Sequence, residues 1–121
     1  MRYVCLIYFD PKKAFDGSGE SNAVLAAVGP HDEALKAKGQ LVFAQALAMP
    51  AEAMTVQVRD GKMSVTDGPF IETKEMLGGL VVIEAPDLNS AAQIAAGIPF
   101  AQLGSIEVRP VPDFTKARPK L

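Results

Sequence analysis

The chain has 121 residues, 49% of them hydrophobic, a net charge of −2 and an isoelectric point of about 5.3. That length and composition fit one domain with a substantial core. The mild acidity argues against direct nucleic-acid binding or adhesion to an anionic membrane, which need a basic surface, and no apolar run approaches the ~20 residues that span a bilayer.

Residues 2–9 (RYVCLIYF) are apolar on both alternating faces, the pattern of a central strand covered on both sides. Asp10 and Pro11 end this run, and no small-residue cleavage site follows, so it reads as a strand and not as a signal peptide. The single cysteine, Cys5, has no internal disulfide partner, which makes the cytoplasm the default compartment and Cys5 a small buried hydrophobe. A polar loop, DPKKAFDGSGE, precedes a helical pattern over about 21–38, with Gly39 placed as a C-terminal cap. Pro30 interrupts that pattern. A break at Gly29, with Pro30 opening a second helical piece, is one solution and a kink is the other.

Residues 40–47 (QLVFAQAL) form the next strand. TVQVRDGKMSVT then reads as a hairpin with a type I′ turn at Asp60-Gly61. That register pairs Val58 with Met63 and Val56 with Val65 on one face, and Gln57 with Ser64 and Thr55 with Thr66 on the other. DGPFIETKEMLGG leads into a second doubly apolar strand at 80–85. Asp87 caps a helix whose stripe is Leu88, Ala91, Ala92, Ala95 and Ile98. The last strand is 105–111, and its Pro110 favours a sheet edge. A domain over 1–112 and a loose, basic tail over 113–121 complete the chain.

Without its hairpin the order is βαββαβ, so the expected fold class is α+β, ferredoxin-like, with an inserted β-hairpin. The two doubly apolar strands fall where that plan has its central strands. Both helices cover one face, and the other face also carries apolar residues. The simplest cover for it is a second copy of the chain, sheet against sheet, so a homodimer is expected.

DGPFIETKE, the following apolar strand, IP and GSIEVRPV together resemble the YCII-related family in its DGPF subgroup, over about residues 1–111. The resemblance implies a dimeric α/β barrel of ferredoxin-like protomers. It also implies one of two settings: enzymes that isomerise or dehalogenate muconolactone-type rings, or proteins found beside sigma factors of RNA polymerase. Its suggested acid–base histidine falls on His31. Where the wider family carries an aspartate before a Pro-Tyr pair, this chain has Ile98 in GIPF.

His31 is the only histidine. It shares a helix stripe with Val24, Val28 and Leu35, which suits either a core histidine with a satisfied hydrogen bond or a general acid–base. Asp67 is either the cap of the DGPF turn or the group that orients His31. Phe70 is a core plug or lines a pocket wall. Glu72, with Lys74, is solvated charge or a proton-transfer and binding group at a cleft mouth. Gly78-Gly79 marks a bulge or a close backbone approach. Arg109 pairs with Glu107 at the surface or clamps a carboxylate. Tyr8 and Arg2 share a face that is either core or cleft. No ligand spacing for a metal and no cofactor fingerprint is present. Two functions follow. One is a cofactor-free acid–base enzyme for a small carbonyl or lactone-like molecule, using His31 with Asp67 or Glu72. The other is a non-catalytic module that binds a small ligand or a protein in transcriptional regulation.

Overall fold

The two strands without a polar face take the centre of the sheet. In the computed structural model, which describes residues 1–113 and 115, β1 (Arg2–Phe9) and β5 (Met76–Glu84) lie side by side. They are flanked by β2 (Leu41–Ala46) and β6 (Gly104–Pro110), in the antiparallel order β2-β5-β1-β6. This is the ferredoxin-like order, with β6 and its Pro110 at an edge as expected. The tail expected at 113–121 lies, apart from Asp113 and Thr115, outside the described residues.

Alternation along the central strands divides the sheet into two faces. Tyr3, Cys5, Ile7, Phe9, Val81 and Ile83 point to the inner face and are buried. There they meet Leu35 of α2 (Gly19–Ala37) and Ala91 and Ala95 of α3 (Leu88–Ala96) in one core. Val4, Leu6, Tyr8, Leu80 and Val82 point the other way and are half-buried, and Phe43 beside them is 51% exposed. Among the described residues no helix crosses this outer face, and its ion pairs sit at its margins: Arg2–Glu84 at one end of β1 and β5, and Glu107–Arg109 along β6.

Burial pushes the Cys5 thiol up from 9.0 to about 11. A raised acid favours the neutral folded form, so this stabilisation is full below pH 9 and is lost as pH rises through 11. Relative to Cys5→Ala, the native chain should lose about 2–3 kcal/mol between those limits. Denaturant melts of both proteins across the window check this.

The helices are fixed by local chemistry. The Ser18 side chain accepts from the Ser21 N–H at the start of α2, so the helix begins two residues earlier than its apolar pattern indicates. At its end Gly39, with φ 70, lets the Gln40 and Gly39 N–H groups bond back to the Leu35 and Lys36 carbonyls, both at 3.0 Å. The expected break at Gly29 is absent and α2 runs unbroken through Pro30. The bond Pro30 cannot donate belongs to Ala26, and both residues are on the exposed side, where water can satisfy the free carbonyl. Asp87 caps α3, accepting from the Ser90 N–H at 2.7 Å, and that bond holds its carboxyl below the usual range. Of the expected α3 stripe, Ala91, Ala95 and Ile98 are buried, whereas Leu88 and Ala92 are exposed. The loop after β1 contains a helical turn not expected from the sequence, α1 (Pro11–Ala14), capped by the buried Asp10.

The inserted hairpin, β3 (Met54–Arg59) and β4 (Lys62–Asp67), forms its own two-stranded sheet. Asp60 and Gly61 both have positive φ, 53 and 73, and the register is the expected one. Its apolar face is open: Val56 is 56% exposed and Met63 71%. No helix among the described residues is long and apolar enough to cross a membrane.

Candidate active site

A cavity of about 180 Å³ lies between the inner face of the sheet and the middle of α2. It owes its floor to an irregularity in β5. Ile7 pairs with Gly79 and Tyr8 with Leu77, so Gly78 is the extra residue of a bulge. Two adjacent positions then carry no side chain where the cavity meets the sheet. The bulge alternative raised for this glycine pair is the one observed, and Gly78 leaves room for a side chain, since a Cβ there would stand 2.1 Å from Cε1 of Phe9. The Phe9 ring stacks on Phe100 with centroids 4.5 Å apart, and both rings line the cavity.

His31 enters from the helix side. Because α2 does not break, the stripe Val24, Val28, His31 and Leu35 keeps its phase. Val24 and Leu35 are buried, Val28 and His31 are half-buried, and Val28 and His31 both line the cavity. The walls are otherwise mostly apolar and include Ile98 and Pro99. The one carboxylate among the lining residues is Asp32, which neighbours His31 in sequence and is also half-buried. Sequence reasoning missed Asp32 because it sits off the apolar stripe, within an acidic run that resembles a solvated helix face. Its adjacency to the only histidine was the available signal.

Asp67 and Glu72 are placed elsewhere. Asp67 ends β4, opposite Met54, and Glu72 lies in the segment between β4 and β5. Both are exposed, neither lines the cavity, and neither side chain has a hydrogen bond or ion pair among the described residues. The turn at Gly68, with φ 98, is instead tied by backbone: the Gly68 N–H donates to the Ala53 carbonyl at 2.7 Å, and the Thr55 hydroxyl donates to the Gly68 carbonyl at 2.9 Å. Phe70 does not plug the core. It is 72% exposed, because this turn carries the chain away from the main sheet, and Met76 fills the interior where the chain returns.

The remaining polar candidates have other duties. The Arg2 Nε–H donates to Glu84 across β1 and β5 at 2.9 Å, and this bond holds the Glu84 carboxyl below its usual range. Arg109 is engaged by Glu107 on the same strand. Tyr8 is on the outer face and does not line the cavity. Among the described residues, no three histidine, cysteine, aspartate or glutamate side chains gather as a metal site.

Fold and site together define a small ferredoxin-like α+β domain with a histidine-bearing cavity between sheet and helix. The chain belongs to the YCII-related family, whose domain matches residues 1–115. It is 37% identical over 75 residues to an uncharacterised protein of Rhizobium meliloti strain 1021, R00369, a match covering 60% of each chain. It is also similar in fold to a solved structure of 5-chloro-2-hydroxyhydroquinone dehydrochlorinase (TftG) from Burkholderia phenoliruptrix AC1100, in complex with 2,5-dihydroxybenzoquinone. That likeness has a TM-score of 0.54 and 16% identity, and covers 93% of this chain and 94% of the other.

Proposed function

We propose that the chain is a small-molecule enzyme that moves a proton next to a carbonyl on a small ring, ketone- or lactone-like, with His31 as the acid–base group. The observation that carries this reading is the position of His31, an imidazole on the wall of a largely apolar cavity of about 180 Å³. A dry apolar cavity of about 150 Å³ accepts a benzene-sized ring, so one substituted ring is the right scale. The ring-shaped molecule bound by the dehydrochlorinase of similar fold supports the same size class. In the reaction the neutral imidazole takes a proton from the carbon beside the carbonyl, the C–H electron pair moves into an enolate, and the imidazolium returns a proton to carbon or to a leaving group.

The carboxylate partner in this reading is Asp32, which lines the same cavity. Asp67 and Glu72 lie outside their own chain's cavity and take part only where a second copy brings them to its site. That second copy belongs to the proposal. The outer sheet face, with Val4, Leu6, Leu80 and Val82 half-exposed, suits a sheet-on-sheet homodimer. Leu6→Lys should convert a dimer into a monomer in sedimentation. A native chain that sediments as a monomer overturns the dimer.

The catalytic test is deuterium uptake. A panel of cyclic ketones and enol lactones is incubated with the protein in deuterated water and followed by NMR. His31→Gln should reduce exchange at the carbon beside the carbonyl by about 10²-fold or more. Asp32→Asn should reduce it less, and Asp67→Asn and Glu72→Gln only if the dimer shares its sites. Exchange that survives His31→Gln sinks the reading. One observation favours a binding-only module instead: His31 makes no hydrogen bond to a carboxylate among the described residues. Saturable binding of panel members with no exchange would support that alternative.

A further inference from the structure

Two hollows meet at His31. The first is the cavity described above. The second, of about 300 Å³, opens between the first half of α2 and the end of α3, and is lined by Ala23, Val24, Ala27, Gly97, Pro99 and Gln102. His31 and Pro99 line both, so the imidazole is a partition between them.

Gly97 is what brings the second hollow up to the ring. It caps α3 with φ −83 and ψ −11, a conformation that any L-residue adopts, so the backbone does not require glycine here. What glycine supplies is room. A Cβ at this position would stand 3.4 Å from Nε2 of His31 and 3.9 Å from Cδ2. Any longer side chain would fill the space in front of that nitrogen.

We infer that His31 is a two-sided proton carrier, exchanging protons at Nε2 with water in the hollow beside Gly97 while the ring serves a molecule in the cavity, and that Gly97 is the positioning residue that keeps this route open. The inference rests on the acid–base reading of His31. An apolar cavity filled by its ligand holds no water to take up or return a proton. An imidazole has two nitrogens and can accept a proton at one while releasing another from the second. The balance closes over a cycle: the substrate C–H proton goes to the cavity-side ring nitrogen and the imidazolium releases its Nε2 proton to a water, leaving the other neutral tautomer; the reverse steps, from water to Nε2 and from ring to carbon, reprotonate the enolate and restore the starting tautomer. Among the described residues, Asp32, on the same helix, is the only other ionisable residue lining either hollow, and α3, the turn after it and the sheet contribute none.

The test uses diethyl pyrocarbonate on the full tag-free chain. This reagent acylates a neutral imidazole at an accessible nitrogen, and the single histidine makes the absorbance change unambiguous. Gly97→Val should slow acylation about tenfold or more by closing the packing around Nε2. Gly97→Ala should slow it much less, and Ala44→Leu, which intrudes only on the cavity, should leave it unchanged. Gln102→Trp narrows the hollow from an exposed position and keeps the test valid if Gly97→Val does not fold. Deuterium uptake should fall with acylation across Gly97→Ala and Gly97→Val, whereas Ala44→Leu should lower uptake by crowding the cavity without slowing acylation. Acylation slowed by Ala44→Leu, or indifferent to both Gly97→Val and Gln102→Trp, overturns the route while leaving the catalytic role of His31 to its own test. Exchange indifferent to His31→Gln overturns that role and the route with it.

Discussion

Gly104→Ala should destabilise the chain by at least about 3 kcal/mol, lowering its melting temperature by roughly 10 °C or more. Gly104 opens β6 opposite Phe9, and a Cβ there would lie 2.0 Å from the Tyr8 carbonyl oxygen and 3.0 Å from the Phe9 Cα. Both obstacles are backbone atoms of the central strand, so no side-chain rotation relieves the overlap. β6 would have to swing away from β1, and the buried end of β1 would move with it. Gly97→Ala is the internal control. It has an ordinary φ and no atom nearer than 3.4 Å, and should cost well under 1 kcal/mol if the effect at Gly104 comes from the close approach and not from losing a glycine. Parallel thermal melts of the two variants decide it, and equal small losses would show that β1 and β6 are not this close.

Phe9→Ala should cost about 3–5 kcal/mol. Phe9 is nearly fully buried, stacks on Phe100, meets Phe15 edge-on with centroids 5.7 Å apart, and walls the cavity. Its removal joins the space of the ring to the cavity, and the surrounding strands cannot collapse to fill both. Gly78 supplies a sharper check. Gly78→Ala alone drives a methyl into the Phe9 ring and should be costly, because that ring is held by Phe100. In a Phe9→Ala background the same methyl enters vacated space. The two changes should therefore couple by about 1 kcal/mol or more in a double-mutant cycle, the double variant being more stable than the sum of the singles. Additive losses would show that ring and glycine do not face each other.

The sheet was legible because its signals are local and repeated. Two strands apolar on both faces had to be central, Asp60-Gly61 set one hairpin register, and Asp87 and Gly39 marked helix ends. Pro30 misled, because a missing hydrogen bond ends a helix only where the freed carbonyl lacks water, and exposure is not written in the local residues. Phe70 misled for the opposite reason: an aromatic after a turn resembles a core residue until the direction of the turn is known. At the candidate site, helical spacing placed His31 on the inward stripe of α2. The cavity itself depends on a bulge in β5 meeting the Phe9 ring across a sheet, a long-range coincidence that no window of sequence contains. Asp32 became a candidate only once that cavity was visible.

The hairpin bonds to itself and adds no strand to the four-stranded sheet. An isolated two-stranded hairpin is marginally stable in water, so β3 and β4 can open and close while the rest of the fold stays intact. The hairpin's length, tip and apolar face can therefore be altered without touching a residue that lines the cavity of its own chain.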